Sequence, residues 1–321
     1  MDATALEDAP ALAGATGPEV PGAVEPAPTS SGHGATPSRR RRVIAVIPFA
    51  ITHVLAFAGA LAVKVTLPLL ALCLVTYLVR MFFITAAYHR YFAHRSYKTS
   101  RAFQFLLALG GTTAAQKGVL WWAGHHREHH RFSDGPLDPH SPVQRGFFWA
   151  HVGWIVSARF NETPFHRIKD FASYPELRWL NQHWLTPPLV GAAALYTLGG
   201  LPVLVWGGLM STVFLWHGTF TINSLSHMFG WRRFPTTDDS RNNPLLAAIT
   251  LGEGWHNNHH HYSASANQGF YWYEVDVSFL VLRALEKLGL VWDLRLPPES
   301  VLAQGRGERV VPLPTAGATT V

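Results

Sequence analysis

The feature that most constrains the fold is a long apolar segment, Trp184 to His227, which contains no Asp, Glu, Lys or Arg. A helix rises about 1.5 Å per residue and the hydrocarbon core of a bilayer is about 30 Å thick, so one crossing takes about 20 residues. The segment is about twice that long, and Gly199, Gly200 and Pro202 near its middle favour a turn. We therefore predict two membrane-spanning helices joined in a hairpin.

A second apolar region lies nearer the N-terminus. Residues 43–63 are almost all apolar or small, and the next predicted span, from about Leu67 to Ala87, holds a single charge, Arg80. A charge inside a span is expected to face the protein interior or to lie near a helix end. The pattern predicts a first hairpin and therefore four transmembrane helices in total.

Two hairpins place the N-terminus, the segment between the hairpins and the C-terminal part on one side of the membrane. The run Arg39 to Arg42 assigns this side to the cytoplasm, because basic residues concentrate there. Only 14% of the 321 residues are charged, against roughly 25% in ordinary soluble proteins. Much of the net charge of +6 comes from that run, so we predict a membrane protein without a nucleic-acid partner.

The composition divides the chain into three parts. Residues 1–42 lack an apolar period and are predicted to be a disordered tail that ends in the basic run. Residues 43–297 form the membrane domain, and residues 298–321 are predicted to be a second disordered tail. Within the domain, the apolar stretch from Arg101 to Gln116 is too short to span and predicts a buried or interfacial helix.

Half of the 18 histidines form clusters on the predicted cytoplasmic side of the spans. These are His89 and His94, then His126, His129 and His130, then His227 with Asn223, and finally His256, His259 and His260. Residues three or four apart share a helix face, so each group of three is expected to converge on one point. His89 and His94 lie about 140° apart on an ideal helix, so this box is predicted to span a helix end.

The nine clustered histidines indicate a dinuclear metal site. The single Cys excludes thiolate sites, which leaves imidazole as the plentiful ligand. A structural zinc site takes four ligands and a mononuclear non-haem iron site about three, so nine donors call for two metal ions. Imidazole suits several metals; we infer iron because a site beside the membrane suits O₂-dependent attack on an unactivated C–H bond, which needs a redox metal. Isolated histidines, such as His53, His151 and His217, are interpreted as hydrogen-bonded core residues.

The boxes and the sequence around them resemble the membrane fatty-acid desaturases, specifically the acyl-CoA delta-9 (stearoyl-CoA) branch. The segments that carry the resemblance are HREHHRFSDGPLDPHSPVQRGFFWAHVGW, NSLSHMFGW and LGEGWHNNHH, and the similarity extends from about Val43 to Pro297. It implies two iron ions with the nine histidines as direct ligands and Asn223 reaching a metal through a water. It also implies four transmembrane helices under a cytosolic helical cap, with a bent tunnel for the acyl chain.

The resemblance further implies a reaction in which O₂ is the co-substrate and a long-chain acyl-CoA gains a cis double bond, at delta-9. The animal acyl-CoA enzymes carry Arg and Asp just before the second box, whereas this chain has Gly124 and His125. Acyl-lipid substrates therefore stay open, and a fatty-acid hydroxylase on the same scaffold is a further alternative. A non-catalytic membrane metal-binding protein is a remote alternative. Other cations that could bind a substrate phosphate are Lys117, Arg127, Arg131, Arg145 and Arg159.

Further candidates surround the boxes. Metal-bound histidines commonly donate their second N–H to an acceptor, and the candidates to orient the ligands are Asp134, Asp138, His140, Glu128 and Glu253. An Asp138-Pro139 turn is an equal alternative for the first three. Trp122, with Trp121, Trp149 and Trp154, is a candidate to line the tunnel, although packing is the favoured role.

The electron donor is expected to be a separate protein. The sequence shows no dinucleotide-binding fingerprint, no cysteine set for an iron–sulfur cluster and no evident haem-binding module. We therefore predict a ferredoxin or a cytochrome b5-like protein, with its reductase, as partner.

Overall fold

The computed structural model describes residues 39–308, with side chains from residue 46 onward. Almost all regular structure in this range is helical, and one two-stranded antiparallel sheet joins β1 (Lys98–Thr99) to β2 (Val291–Trp292). The α-helices are α1 (Arg39–Ala62), α2 (Leu67–Phe82), α3 (Arg101–Thr112), α4 (Val119–Phe132), α5 (Pro142–Arg145), α6 (Lys169–Ala172), α7 (Pro175–Gln182), α8 (Thr186–Val203), α9 (Ser211–Ser224), α10 (Pro244–Ile249), α11 (His256–His261), α12 (Val277–Lys287) and α13 (Glu299–Gly305). π-helical stretches, with wider turns, occupy Phe83–Ala93, Trp149–Gly153 and Leu204–Met210.

Two helices in the described range are long and apolar enough to cross a membrane. The first is continuous from Leu67 to Ala93, where α2 runs into a π-helical stretch, and the second extends from Thr186 to His227. The apolar part of α1, Val46–Ala62, is shorter. The apolar regions expected from the sequence are therefore helical, and two of them reach the length of a candidate span.

The second long helix reverses direction near its middle. Gly199 and Gly200 leave helical geometry, and Gly200 has φ +65°, a value that favours glycine. Beyond the break the chain folds back, since a Cβ added at Gly207 would lie 3.4 Å from Leu195 Cδ2. In a straight helix these residues would be roughly 18 Å apart. The turn expected at Gly199 and Gly200 is thus present.

The apolar helices pack through small residues and buried polar contacts. A Cβ added at Gly59 in α1 would lie only 2.6 Å from Val205 Cγ2, so glycine allows the two backbones to approach closely. The guanidinium of Arg80 donates hydrogen bonds to Ser211 Oγ at 2.5 Å and Thr212 Oγ1 at 2.6 Å. The one charge inside the predicted second span therefore faces a neighbouring helix, as expected.

Arg127 joins helix α4 to the end of the first long helix. Its guanidinium donates to the carbonyls of Phe92 at 2.8 Å and Ala93 at 2.9 Å, and to the Asp170 carboxylate. These carbonyls end a helix and would otherwise lack partners. Arg127 is thus engaged within the protein, which argues against the phosphate-binding role considered from the sequence.

The C-terminal boundary of the domain lies further along the chain than expected. Residues 299–305 form α13 instead of a disordered tail, and Tyr271 Oη donates to the Leu302 carbonyl at 2.8 Å. Gly305 makes this packing possible, because a Cβ there would lie 2.3 Å from Tyr271 Oη. The local sequence pattern suggested disorder, because it cannot show a contact between residues that are 31 positions apart. The predicted N-terminal tail extended to residue 42, but Arg39–Arg42 form the start of α1. Its other residues, 1–38, and residues 309–321 of the second tail lie outside the described residues.

We expect Gly59→Val to destabilise the protein, because the added atoms would overlap with the rigid Val205 side chain. Overpacking of this kind costs about 1–3 kcal/mol. The matched control is Gly191→Val in α8, since a Cβ there meets nothing within 4 Å among the described residues. Thermal unfolding in detergent measures the effect, and equal midpoints for the two variants would contradict the close packing of α1.

Candidate metal centre

The structure gathers the nine histidines into two adjacent groups. One group contains His89, His94, His126, His130 and His259, and the other contains His129, His227, His256 and His260. In each group, one nitrogen from every ring lies within 4.8 Å of the others. All nine nitrogens come from the clusters singled out in the sequence.

The π-helical turn explains how His89 and His94 reach the same group. The backbone N–H of His94 donates to the carbonyl of His89 at 3.2 Å, a bond between residues five apart. Such wide turns place residue i+5 above residue i, and they occur frequently at functional sites. The two ring centroids are 4.8 Å apart. The sequence expectation of a helix end was right about His94, which follows the last helical residue, but missed the π geometry.

The three clustered histidines of α4 are divided between the two groups, and so are those of α11. This corrects the expectation that each set of three converges on one point. On α4, His126 and His130 are four residues apart and face the first group, while His129 faces the second. On α11, His256 and His260 belong to the second group. The physical reason is that residues i and i+4 align along a helix, whereas the third histidine is rotated toward the neighbouring centre.

Buried carboxylates hold the outer nitrogens of four rings. His129 Nδ1 lies 3.0 Å from both Asp138 oxygens, and His227 Nδ1 lies 2.8 Å from Asp134. His260 Nδ1 lies 2.5 Å from Asp238, and His89 Nδ1 contacts Glu253. Burial opposes ionisation of Asp134, but the hydrogen bond with His227 lowers its pKa to about 2. These carboxylates accept the Nδ1 protons, which leaves each Nε2 of the neutral rings with a free lone pair.

The free lone pairs converge. His227 Nε2 lies 3.0 Å from His256 Nε2, and His89 Nε2 lies 3.0 Å from His259 Nε2. His260 Nε2 is buried and has no hydrogen-bond partner among the described residues. A cation in each group would bind these nitrogens, so the donor set fits two metal ions.

The electrostatics also favour neutral rings. Burial lowers the pKa of His94, His126, His130, His256 and His259 well below 6.5, and the neighbouring imidazoles lower it further. Neutral imidazole is the form that binds metal. His129 differs from these rings. Burial lowers its pKa, but the neighbouring Asp138 carboxylate outweighs burial, so the pKa of His129 is raised.

The remaining sequence candidates take different positions. His140 stacks on His129 with ring centroids 4.2 Å apart. Glu128 pairs with His125, His166 and Arg167, and contacts none of the nine histidines in the described part of the chain. Asp238 orients His260 but was not among the sequence candidates, because its position bears no regular spacing to any box.

A cavity of about 440 Å³ reaches the first group. We call the part lined by His89, His126, Asn223 and Glu253 its inner end, and the part lined by Lys117, Asn161 and Trp184, which also line a second cavity, its outer end. The wall between them is largely apolar and aromatic. Of the four candidate tryptophans, Trp121, Trp122 and Trp154 line the cavity, whereas the Trp149 indole N–H donates to the Pro139 carbonyl. Trp122 also stacks on His126, with centroids 5.0 Å apart.

A second, more polar cavity of about 400 Å³ adjoins the outer end of the first. Both are lined by Lys117, Trp121, Asn161 and Trp184, and the second adds Arg178, which the sequence analysis had not considered. Lys117 Nζ donates to Asn161 Oδ1 at 2.6 Å, and burial lowers the pKa of Lys117 to about 8.

The backbone explains why no arginine precedes the second box. A Cβ at Gly124 would lie 2.8 Å from Pro164 Cγ, in a rigid ring. His125, the next residue, has its Nε2 3.1 Å from the Glu162 carbonyl and stacks against Trp121. Neither position therefore presents a cation to a substrate.

Comparisons with known proteins agree with this geometry. The family model described as fatty acid desaturase matches residues 64–285, a range that includes all nine histidines. Over 221 residues the chain is 38% identical to an sn-1 stearoyl-lipid 9-desaturase of Synechocystis, covering 68% of this chain and 69% of the relative. It is 37% identical over 222 residues to an acyl-CoA 5-desaturase of Anemone leveillei, with coverages of 68% and 69%. An sn-2 palmitoyl-lipid 9-desaturase of Nostoc is 39% identical over 212 residues, with coverages of 64% and 74%.

We expect Asp138→Asn to lower metal affinity by about 10–100-fold, because the amide no longer fixes the Nδ1 proton of His129. Glu128→Gln is the matched control, since that carboxylate lies beside α4 but contacts none of the nine histidines among the described residues. Metal content per protein, measured by mass spectrometry after dialysis against a weak chelator, tests this. Equal retention in the two variants would contradict the orienting role of Asp138.

Proposed function

The chain belongs to the fatty acid desaturase family, and from this premise we propose that it is an O₂-dependent di-iron enzyme that introduces a cis double bond into a long-chain acyl group. The observation that carries the proposal is the apolar cavity, which ends beside nine converging imidazoles. The balanced reaction converts –CH₂–CH₂–, O₂, two electrons and two protons into –CH=CH– and two waters.

Each part of the site has a role in this reaction. Two iron ions, when bound, supply the redox chemistry that reduces O₂ and removes the two hydrogens. The nine histidines would hold them through the unprotonated nitrogens, and Asn223, at the cavity wall, would reach one of them through a water. Asp134, Asp138, Asp238 and Glu253 hold the imidazole protons on the outer nitrogens. The apolar and aromatic side chains that line the cavity exclude water and hold the methylene groups.

The delta-9 position is the regiochemistry that we propose. Consecutive methylene groups are chemically almost identical, so the enzyme selects among them by how deeply the cavity accepts the chain. Two of the relatives named above are 9-desaturases by their names, and one is a 5-desaturase. The names of these relatives support delta-9, and product analysis decides it.

For the head group, we propose a CoA thioester as the first candidate and an acyl lipid as the second. The polar cavity beside Lys117 and Arg178 supports a phosphate-bearing head group, which both classes offer. The relatives include both lipid and acyl-CoA enzymes. The lipid alternative gains weight from Gly124, because an arginine there, as in animal acyl-CoA enzymes, would bring its Cβ within 2.8 Å of Pro164 Cγ and require Pro164 to shift.

We further propose that the chain crosses the membrane four times, in two hairpins, with both termini and the metal centre in the cytoplasm. The break at Gly199 and Gly200 supports two crossings within Thr186–His227, and α1 with Leu67–Ala93 would supply the other two. Electrons would come from a separate ferredoxin or cytochrome b5-like protein. The hydroxylase alternative shares this scaffold and differs only in the product.

Expression of the wild type in a host that lacks delta-9 monoenes is expected to produce a new cis-monoenoic fatty acid. His129→Ala should abolish it, because one group loses a ligand. His166→Ala is the control, since this exposed histidine lies outside both groups. Mass spectrometry of derivatised fatty acids measures the amount and the position of the double bond. A hydroxylated acid would identify the enzyme as a hydroxylase instead of a desaturase. A monoenoic acid that is still formed by His129→Ala would contradict the assigned site.

Lys117→Gln is expected to raise KM with little change in kcat, because this lysine lines the cavity but belongs to neither histidine group. Loss of one phosphate contact should raise KM about tenfold, near the effect of a charge-assisted hydrogen bond. The assay supplies iron-loaded enzyme and reduced ferredoxin with stearoyl-CoA or with stearoyl phospholipid in detergent. Lys98→Gln, an exposed lysine paired with Asp293, is the control. An unchanged KM for both substrates would exclude Lys117 from head-group binding.

A further inference from the structure

Three histidines outside the metal groups form a continuous hydrogen-bonded chain. His53 Nδ1 lies 2.8 Å from the Phe49 carbonyl, and His53 Nε2 lies 3.1 Å from His217 Nε2. His217 Nδ1 lies 3.0 Å from His151 Nε2, and His151 Nδ1 lies 3.0 Å from Ser224 Oγ. The chain joins α1, α9 and the π-helical stretch Trp149–Gly153. We call these four side chains, His53, His217, His151 and Ser224, the imidazole chain.

One end of the imidazole chain fixes every proton in it. The Phe49 carbonyl can only accept, so His53 donates from Nδ1 and accepts at Nε2. His217 then donates from Nε2 and accepts at Nδ1, and His151 does the same in turn. Ser224 Oγ lies 3.0 Å from His151 Nδ1 and 2.9 Å from the Phe220 carbonyl, and in this arrangement its single proton goes to His151 Nδ1. Each neutral ring thus donates once and accepts once, so no polar atom of the three rings is left without a partner in apolar surroundings.

The imidazole chain lies directly behind one wall of the substrate cavity. Phe49, Trp216 and Phe220 line the cavity, and Phe49 stacks on Trp216 with ring centroids 5.5 Å apart. Phe49 is 4.1 Å from the His53 ring, and Phe220 is 5.9 Å from His217. In the described part of the chain, the three histidines are not among the residues that line the cavity. We call Phe49, Trp216 and Phe220 the aromatic wall.

The Ser224 end of the imidazole chain lies close to the metal centre. Ser224 ends α9, beside Asn223 at the inner end of the cavity, and His227 of the second histidine group follows three residues later. Phe49 lies on α1, a different helix that contributes no histidine to either group. The position of the aromatic wall relative to the metal ions therefore depends on how firmly α1 is joined to α9. Hydrogen bonds between helices stabilise this kind of packing in apolar surroundings.

We propose that the imidazole chain determines which carbons of the acyl group are desaturated, by fixing the aromatic wall relative to the metal centre. The inference rests on the proposed function. His53, His217 and His151 are positioning residues, since they act on the substrate through Phe49, Trp216 and Phe220. A small shift of this wall changes the depth of the acyl chain, and neighbouring methylene groups offer no chemical difference that would correct the error.

The test compares His217→Leu with His217→Gln. Leucine removes both hydrogen bonds, whereas glutamine retains one donor for His53 and one acceptor for His151. We expect His217→Leu to raise the share of positional isomers several-fold at unchanged iron content, and His217→Gln to restore most of the wild-type selectivity. Double-bond positions are measured by mass spectrometry in the expression host, and iron is measured per purified protein.

Two further variants keep the test decisive. His53→Leu removes the link between α1 and α9 and the bond to the Phe49 carbonyl within α1, but leaves the bond between His217 and His151 in place. It should broaden the products even where His217→Leu does not fold. Thr76→Val is the control, because its hydroxyl joins α2 to Ser211 of α9 at 2.9 Å without lining the cavity in the described structure. It should leave the isomer ratio unchanged.

The inference is overturned by an unchanged isomer ratio in folded His53→Leu and His217→Leu, or by an equal broadening in Thr76→Val. A loss of rate without a change in product distribution would also overturn it, since that indicates a purely structural role. The wild type tests the proposed function separately: an absence of any alkene there removes both, whereas a single alkene in every variant removes only the inference.

Discussion

The hydrogen bonds between buried carboxylates and the outer nitrogens of the histidines determine how the rest of the site is built. Nine imidazoles can share a small volume only when they are neutral and when their lone pairs point inward. Asp138, Asp134, Asp238 and Glu253 impose this orientation on four rings by accepting the Nδ1 protons. These acids lie in the connections between helices, so the orientation of the histidines depends on the conformation of these connections.

The apolar helices have a different role in the proposed reaction, which is to hold the flexible acyl group of the substrate at a defined depth. A cavity lined by aromatic rings contacts every methylene group alike, so in the proposed reaction selectivity would come from its shape and its position relative to the histidines. One helix, α9, supplies part of the cavity wall and carries Asn223 near its end, shortly before His227.

Much of the site was accessible from spacing and residue type. Runs of apolar residues predicted the helices, Gly199 and Gly200 predicted the turn, and the clustered histidines predicted the residues that converge. Spacing failed where structure deviates from an ideal helix: the π-helical turn brings His89 and His94 together, and α4 and α11 each direct histidines to both groups. It also failed for contacts between distant residues, such as Asp238 with His260 and Tyr271 with α13.

The sequence by itself determined the chemistry that is available: apolar helices long enough for a membrane, nine imidazoles in closely spaced clusters and a single cysteine. These follow from composition and local period, which depend only on neighbouring residues. The tertiary structure decided how the donors are divided, which carboxylates orient them, and that His53, His151 and His217, each isolated in the sequence, join in one chain. Such pairings depend on the packing of helices that are far apart in sequence, and no local pattern encodes them.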